Sequence, residues 1–125
     1  MTNVVIFLAD DLGCGDMSLY DGWIRTPRID QMAKEGVRFT DFHSNSSVCS
    51  PTRAALLTGR YQQRVGIVDV IAEHLDTPGL DPNEWTIPRL MKQNGYSTAL
   101  FGKWHLGGEA RQNPIYHGFD EFVGF

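Results

Sequence analysis

The pattern of apolar and polar positions opens on Val4-Val5-Ile6-Phe7-Leu8-Ala9, an unbroken run rich in β-branched residues that stops abruptly at Asp10-Asp11. A short apolar run without polar alternation predicts a strand buried on both faces, central in a parallel sheet. Thr26-Pro27 is a helix-start signal, Ile29, Met32 and Ala33 recur at helical spacing, and Gly36 supplies a left-handed stop. Val37, Phe39 and Phe42 then mark a second extended segment, which runs into the polar loop His43-Ser44-Asn45-Ser46-Ser47. Ser50-Pro51 repeats the cap-then-proline signature ahead of Ala54, Ala55, Leu56 and Leu57, a helix that Gly59 ends. Cys49 therefore falls at a helix N-terminus. Ile87, Leu90 and Met91 form the face of a further helix closed by Gly95, and residues 96–101 read as a strand.

The resulting order, β-α-β-α-α-β, predicts an α/β fold with a largely parallel sheet flanked by helices, whose ligands gather at the carboxyl ends of the strands. Asp10 and Lys103 both fall at such ends. Residues 73–84, with Pro78, Gly79 and Pro82, read as a surface excursion. The aromatic stretch Gly118-Phe119-Asp120-Glu121-Phe122-Val123-Gly124-Phe125 has no polar tail, so the fold is expected to be incomplete over these residues.

Composition narrows the function classes. A chain of 125 residues with 42% hydrophobic content predicts one modest core and a single globular unit. The net charge of -4 is dispersed, which leaves no footprint for nucleic acid or an anionic membrane and favours a small polar partner. No apolar run approaches the roughly 20 residues that span a bilayer. No signal-peptide pattern precedes Val4, so the compartment is left unassigned. Two cysteines, Cys14 and Cys49, are too few for a disulfide framework or a structural zinc site.

Three clusters could carry chemistry. Asp10 and Asp11 would repel each other at a buried strand end unless a cation or hydrogen-bond donors compensate. A hard divalent cation takes such oxygen ligands, though a solvated strand end is the plainer alternative. Gly13-Cys14-Gly15-Asp16-Met17-Ser18 lacks the last glycine of a dinucleotide fingerprint and lies among acids, so it is read as a tight turn with Cys14 a packed small residue. Cys49-Ser50-Pro51-Thr52-Arg53 joins a thiol, a helix N-terminus and an arginine one turn on, all of which favour a thiolate or a tetrahedral oxyanion. A structural cysteine is the alternative there. His43, His74 and His117 stand in polar contexts and are expected at the surface, and Trp104 is expected to pack beside the site.

The stretch Cys49-Ser50-Pro51-Thr52-Arg53, continued by Ala54-Ala55-Leu56-Leu57-Thr58-Gly59-Arg60, resembles the signature of the formylglycine-dependent sulfatases. Leu8-Ala9-Asp10-Asp11-Leu12-Gly13 resembles that family's first metal strand, and Gly102-Lys103-Trp104-His105-Leu106-Gly107 its second sulfate-binding block. The resemblance implies an alkaline phosphatase-like fold, of which residues 1–125 would be the N-terminal portion of the catalytic domain. It implies a hydrolase of sulfate esters, small molecules or glycans, with Cys49 converted to formylglycine by a separate maturation enzyme. Asp10, Asp11 and the Cys49-derived oxygen would hold calcium, or magnesium in its place. Arg53 would stabilise the nucleophile, Lys103 would neutralise sulfate oxygens, and His105 would act as the base; histidine in general titrates near pH ~6.5, which suits proton transfer around neutrality.

The family takes a further aspartate and an asparagine for its metal, and another histidine and lysine for its sulfate, from later sequence. Two alternatives follow: a phosphonate or phosphodiester hydrolase of the same superfamily, or a non-catalytic truncated fragment. A disulfide between Cys14 and Cys49 is a further expectation, because both would lie at one end of the sheet.

Overall fold

Each helix has a proline within its first three residues, and extended Val48 and Thr86 precede the second and third. In the computed structural model, which describes residues 2–72 and 78–125, α1 spans Pro27–Glu35 with Pro27 at its start, where the missing amide costs nothing. Thr26 does not cap it through its side chain. The Thr26 hydroxyl instead donates to Asp30 Oδ1 at 3.0 Å, and Ser18 Oγ donates to Asp30 Oδ2 at 2.7 Å. Gly36 closes α1 by donating to the Met32 carbonyl at 2.9 Å, but with φ of -112° rather than the left-handed turn expected.

The second helix, α2, spans Cys49–Thr58 and is capped by extended Val48, so Cys49 is its first residue and Ser50 its second. Ser50 is therefore not the cap that its place before proline suggests. Gly59 ends α2 in the left-handed conformation, φ 64°, its amide on the Ala55 carbonyl at 2.9 Å. The third, α3, spans Ile87–Gln93 and starts after Thr86, with Asn94 and left-handed Gly95 at its end.

Two strands pair in parallel: β1 (Ala99–Gly102) and β2 (Glu121–Gly124), in the register Ala99↔Glu121 to Gly102↔Gly124. Parallel neighbours need a crossover, here residues 103–120 with short 3-10 turns at Ala110–Gln112 and Pro114–His117. Asp120 sets the entry to the pair: its amide donates to the Thr98 carbonyl at 2.8 Å and its carboxylate accepts the Thr98 amide at 2.9 Å. Lys92, 2.5 Å from that carboxylate, and then the Thr98 amide hold Asp120 below the usual carboxylate range. Helices and a parallel pair make the fold α/β, as predicted, although β2 falls in the aromatic stretch, where the residue pattern predicts no element.

The expected strands over residues 4–9 and 37–42 do not form. Val5 and Phe7 are exposed, and no ladder joins the first run to another segment among the described residues. Apolar side chains supply a strand's faces, but its place in a sheet comes from backbone partners on either side.

Contacts divide the chain into two compact units, Met1–Phe42 and His43–Phe125, where composition predicts one. The described hydrophobic core belongs to the second unit: Ala54, Ile67, Leu80, Trp104, Leu106 and Phe119, with Leu57, Ile71, Leu100 and Phe122 against it. Leu80 is fully buried, so the tract read as a surface excursion contributes to the core; its residues 73–77, His74 among them, lie outside the described residues. No helix among the described residues is long and apolar enough to cross a membrane.

His117 is also corrected. It is 0% exposed, its ring 5.1 Å from that of Trp104, and neither ring nitrogen meets a hydrogen-bond partner among the described residues. Burial first, and then the Arg89 cation, push its pKa down from 6.5 to about 4, against a smaller opposing pull from Asp81.

Candidate active site

The first turn of α2 places Cys49 and Arg53 four residues apart, on one face. Both reach the same residue at the carboxyl end of β1. The Lys103 ammonium donates to Cys49 Sγ at 3.5 Å, and Arg53 Nη1 donates to the Lys103 carbonyl at 2.6 Å. Residues 50 or more positions apart in sequence thus converge through α2 and the start of the crossover. Arg53 is 9% exposed, and withdrawing a guanidinium from water is costly unless acceptors such as the Lys103 carbonyl take its hydrogens. Two cationic side chains beside the N-terminus of a ten-residue helix make this corner a place for an anion.

Lys103, Trp104 and His105 follow β1 directly, and Trp104 anchors them. Its indole donates to the Gln112 carbonyl at 2.8 Å, its amide donates to the Phe125 carbonyl at 2.8 Å, and its ring meets those of His117 and Phe119. The expected packing role of Trp104 is the one found. His105 has a left-handed backbone, φ 56°, rare outside glycine. Its Nε2 lies 2.9 Å from the Ile71 carbonyl, while the buried Nδ1 meets no partner among the described residues.

Asp10 and Asp11 belong to the first unit, where both are exposed. Asp11 is also left-handed, φ 57°, and the following turn is tied by the Gly13 amide on Asp16 Oδ2 at 2.7 Å. Cys14 is exposed rather than packed, and both cysteines carry free thiols, so the expected disulfide is not formed. No group of three histidine, cysteine, aspartate or glutamate side chains gathers among the described residues. The second unit thus brings together Cys49, Arg53 and Lys103, with His105 two residues on. Ile71, which holds His105, was missed because a backbone carbonyl carries no signal in residue type.

Known proteins share this arrangement of sequence. Mouse steryl-sulfatase is 44% identical over 98% of this chain and 22% of its own length, and mouse arylsulfatase G is 46% identical over 98% and 23%. The chain thus spans under a quarter of those relatives. The crystal structure of Ps i-CgsB in complex with k-i-k-neocarrahexaose superposes with a TM-score of 0.87 at 37% identity, covering 93% of this chain and 26% of that one. The sulfatase family model matches residues 2–125, taking in the cysteine, arginine and lysine that converge at the end of β1. By sequence over nearly its full length and by fold, this chain belongs to the sulfatase family.

Proposed function

We propose that the chain carries the nucleophile-bearing part of a sulfuric ester hydrolase, and that residues 1–125 form the N-terminal portion of its catalytic domain. The observation that carries the reading is the approach of Lys103 Nζ to Cys49 Sγ at 3.5 Å. An ammonium held beside residue 49 is placed to neutralise the oxygens of a sulfate ester as they gain charge in the transition state.

Cys49 suits conversion to formylglycine by a maturation enzyme: its thiol is free and partly accessible at the first turn of α2. Formylglycine would supply a hydrated aldehyde whose one hydroxyl attacks sulfur and whose other allows sulfate to be expelled. Lys103 would bind sulfate oxygens, and Arg53, clamped to the Lys103 carbonyl, would keep that ammonium over residue 49. His105 would accept a proton at Nδ1, the buried ring nitrogen that meets no partner among the described residues. Asp10 and Asp11 are hard oxygen donors of the kind calcium takes, with magnesium as the smaller alternative. They suit such an ion in kind but not in number, and no step is derived through it. The substrate would be a sulfate ester of a sugar or another small molecule, in keeping with the names of the relatives.

The test is made on the full-length protein co-expressed with a formylglycine-generating enzyme. Mass spectrometry of the Cys49 peptide should find the aldehyde, and aryl sulfate should be turned over faster than the matching aryl phosphate. Lys103→Ala should lower sulfate turnover by about a hundredfold or more. Phosphate preference would point instead to a phosphoryl-ester hydrolase, and an unmodified thiol would remove the proposed nucleophile.

A further inference from the structure

Ser50, the second residue of α2, is 0% exposed, and its hydroxyl is not spent on the helix. Ser50 Oγ accepts the Ile71 amide at 3.1 Å. The carbonyl of the same residue, Ile71, faces His105 Nε2 at 2.9 Å. A carbonyl can only accept, so Nε2 must carry the hydrogen, and a neutral His105 then has its lone pair on Nδ1. Nδ1 is the buried nitrogen that meets no partner among the described residues. Two successive peptide groups joined at the Ile71 Cα thus link the residue beside Cys49 to the imidazole two residues after Lys103.

We propose that Ser50 is a positioning residue that, through the Ile71 backbone, fixes His105 in the Nε2–H tautomer and keeps Nδ1 available as a proton acceptor. The proposal deepens the function given above and rests on it for the use made of that lone pair. A serine is well suited to the position because it is small enough for full burial and presents an acceptor to the Ile71 amide in a part-buried setting. With the hydroxyl removed, Ile71 loses one of its two backbone anchors, so rotation about its φ and ψ can turn its carbonyl, in the next peptide group, away from Nε2. The left-handed backbone of His105, φ 56°, is a second sign that this ring is held by its surroundings rather than by its own preference.

The experiment reads the imidazole directly. Nitrogen-15 chemical shifts of His105 in the full-length protein, at a pH where the ring is neutral, should report the Nε2–H form as dominant, and the Ile71 amide should exchange slowly. Ser50→Ala should lower the ratio of Nε2–H to Nδ1–H about fivefold, the weight of one ordinary hydrogen bond, and speed exchange at Ile71. Ser50→Thr, which keeps the oxygen, should restore both. In enzyme whose aldehyde content at residue 49 has been equalised, Ser50→Ala should lower kcat and leave KM unchanged. A dominant Nδ1–H form or a rapidly exchanging Ile71 amide in the wild-type protein overturns the proposal without any variant. An unchanged tautomer ratio in folded Ser50→Ala overturns it as well. If His105→Asn leaves ester turnover intact while Ser50 still governs the tautomer, the base assignment fails and the positioning stands.

Discussion

His117 illustrates how a residue's surroundings decide its chemistry. Its neighbours in sequence, Tyr116 and Gly118, suggest a loop at the surface, whereas tertiary packing against Trp104 seals the ring from water. The unfolded chain would take up a proton near pH 6.5, but the folded one resists until about 4. Stability from this group is therefore complete above pH 6.5 and is lost as pH falls toward 4, by up to about 3 kcal/mol. His117→Phe should flatten the acid limb of a denaturation series over that range, since both ring nitrogens are unpartnered among the described residues and little is lost with them. An unaltered acid limb in the variant would assign the loss to other groups. Cys49, Arg53, Lys103 and His105 were legible because each stands in a motif. His117 was not, because burial by residues that pack from elsewhere in the chain leaves no local mark.

Among the elements, helices were easier to read than strands. Proline, small residues and a closing glycine are local instructions, and α1, α2 and α3 follow them to within a residue or two. The strand pair depends on a partner about twenty residues away, and β2 is too short for a period to declare itself. Close approach of the two backbones carries its own demand: a Cβ built on Gly124 would lie 1.8 Å from the Gly102 carbonyl oxygen. Gly124→Ala should force the pair apart and destabilise the second unit by about 1–3 kcal/mol. Because Lys103 begins where β1 ends, the same substitution should also speed amide exchange at Trp104, whose N–H is held by Phe125. Slow exchange at Trp104 in a destabilised variant would separate the strand pair from the site.

For the whole molecule, apolar content is unevenly used. The second unit contains the described core, while Val4, Val5, Ile6 and Phe7 remain in water in the first. An extended apolar segment with open backbone groups invites pairing with another chain. The 125-residue chain should therefore self-associate, and a Val5→Lys, Phe7→Lys double substitution should lower its average mass in sedimentation velocity; an unchanged distribution would exonerate the segment. The α/β class was legible from alternating elements, yet the predicted central strand was not realised, since a sheet position is a property of neighbours rather than of one run of residues.

Trp104 brings one last consequence. It is 4% exposed, against 82% for Trp23 and 50% for Trp85, so the shortest-wavelength indole emission belongs to the residue between Lys103 and His105. Its ring sits 5.1 Å from that of His117, close enough for an acidified imidazole to dim the signal. Ultraviolet light alone can thus report, without label or substrate, whether the segment bearing the lysine and the histidine is seated.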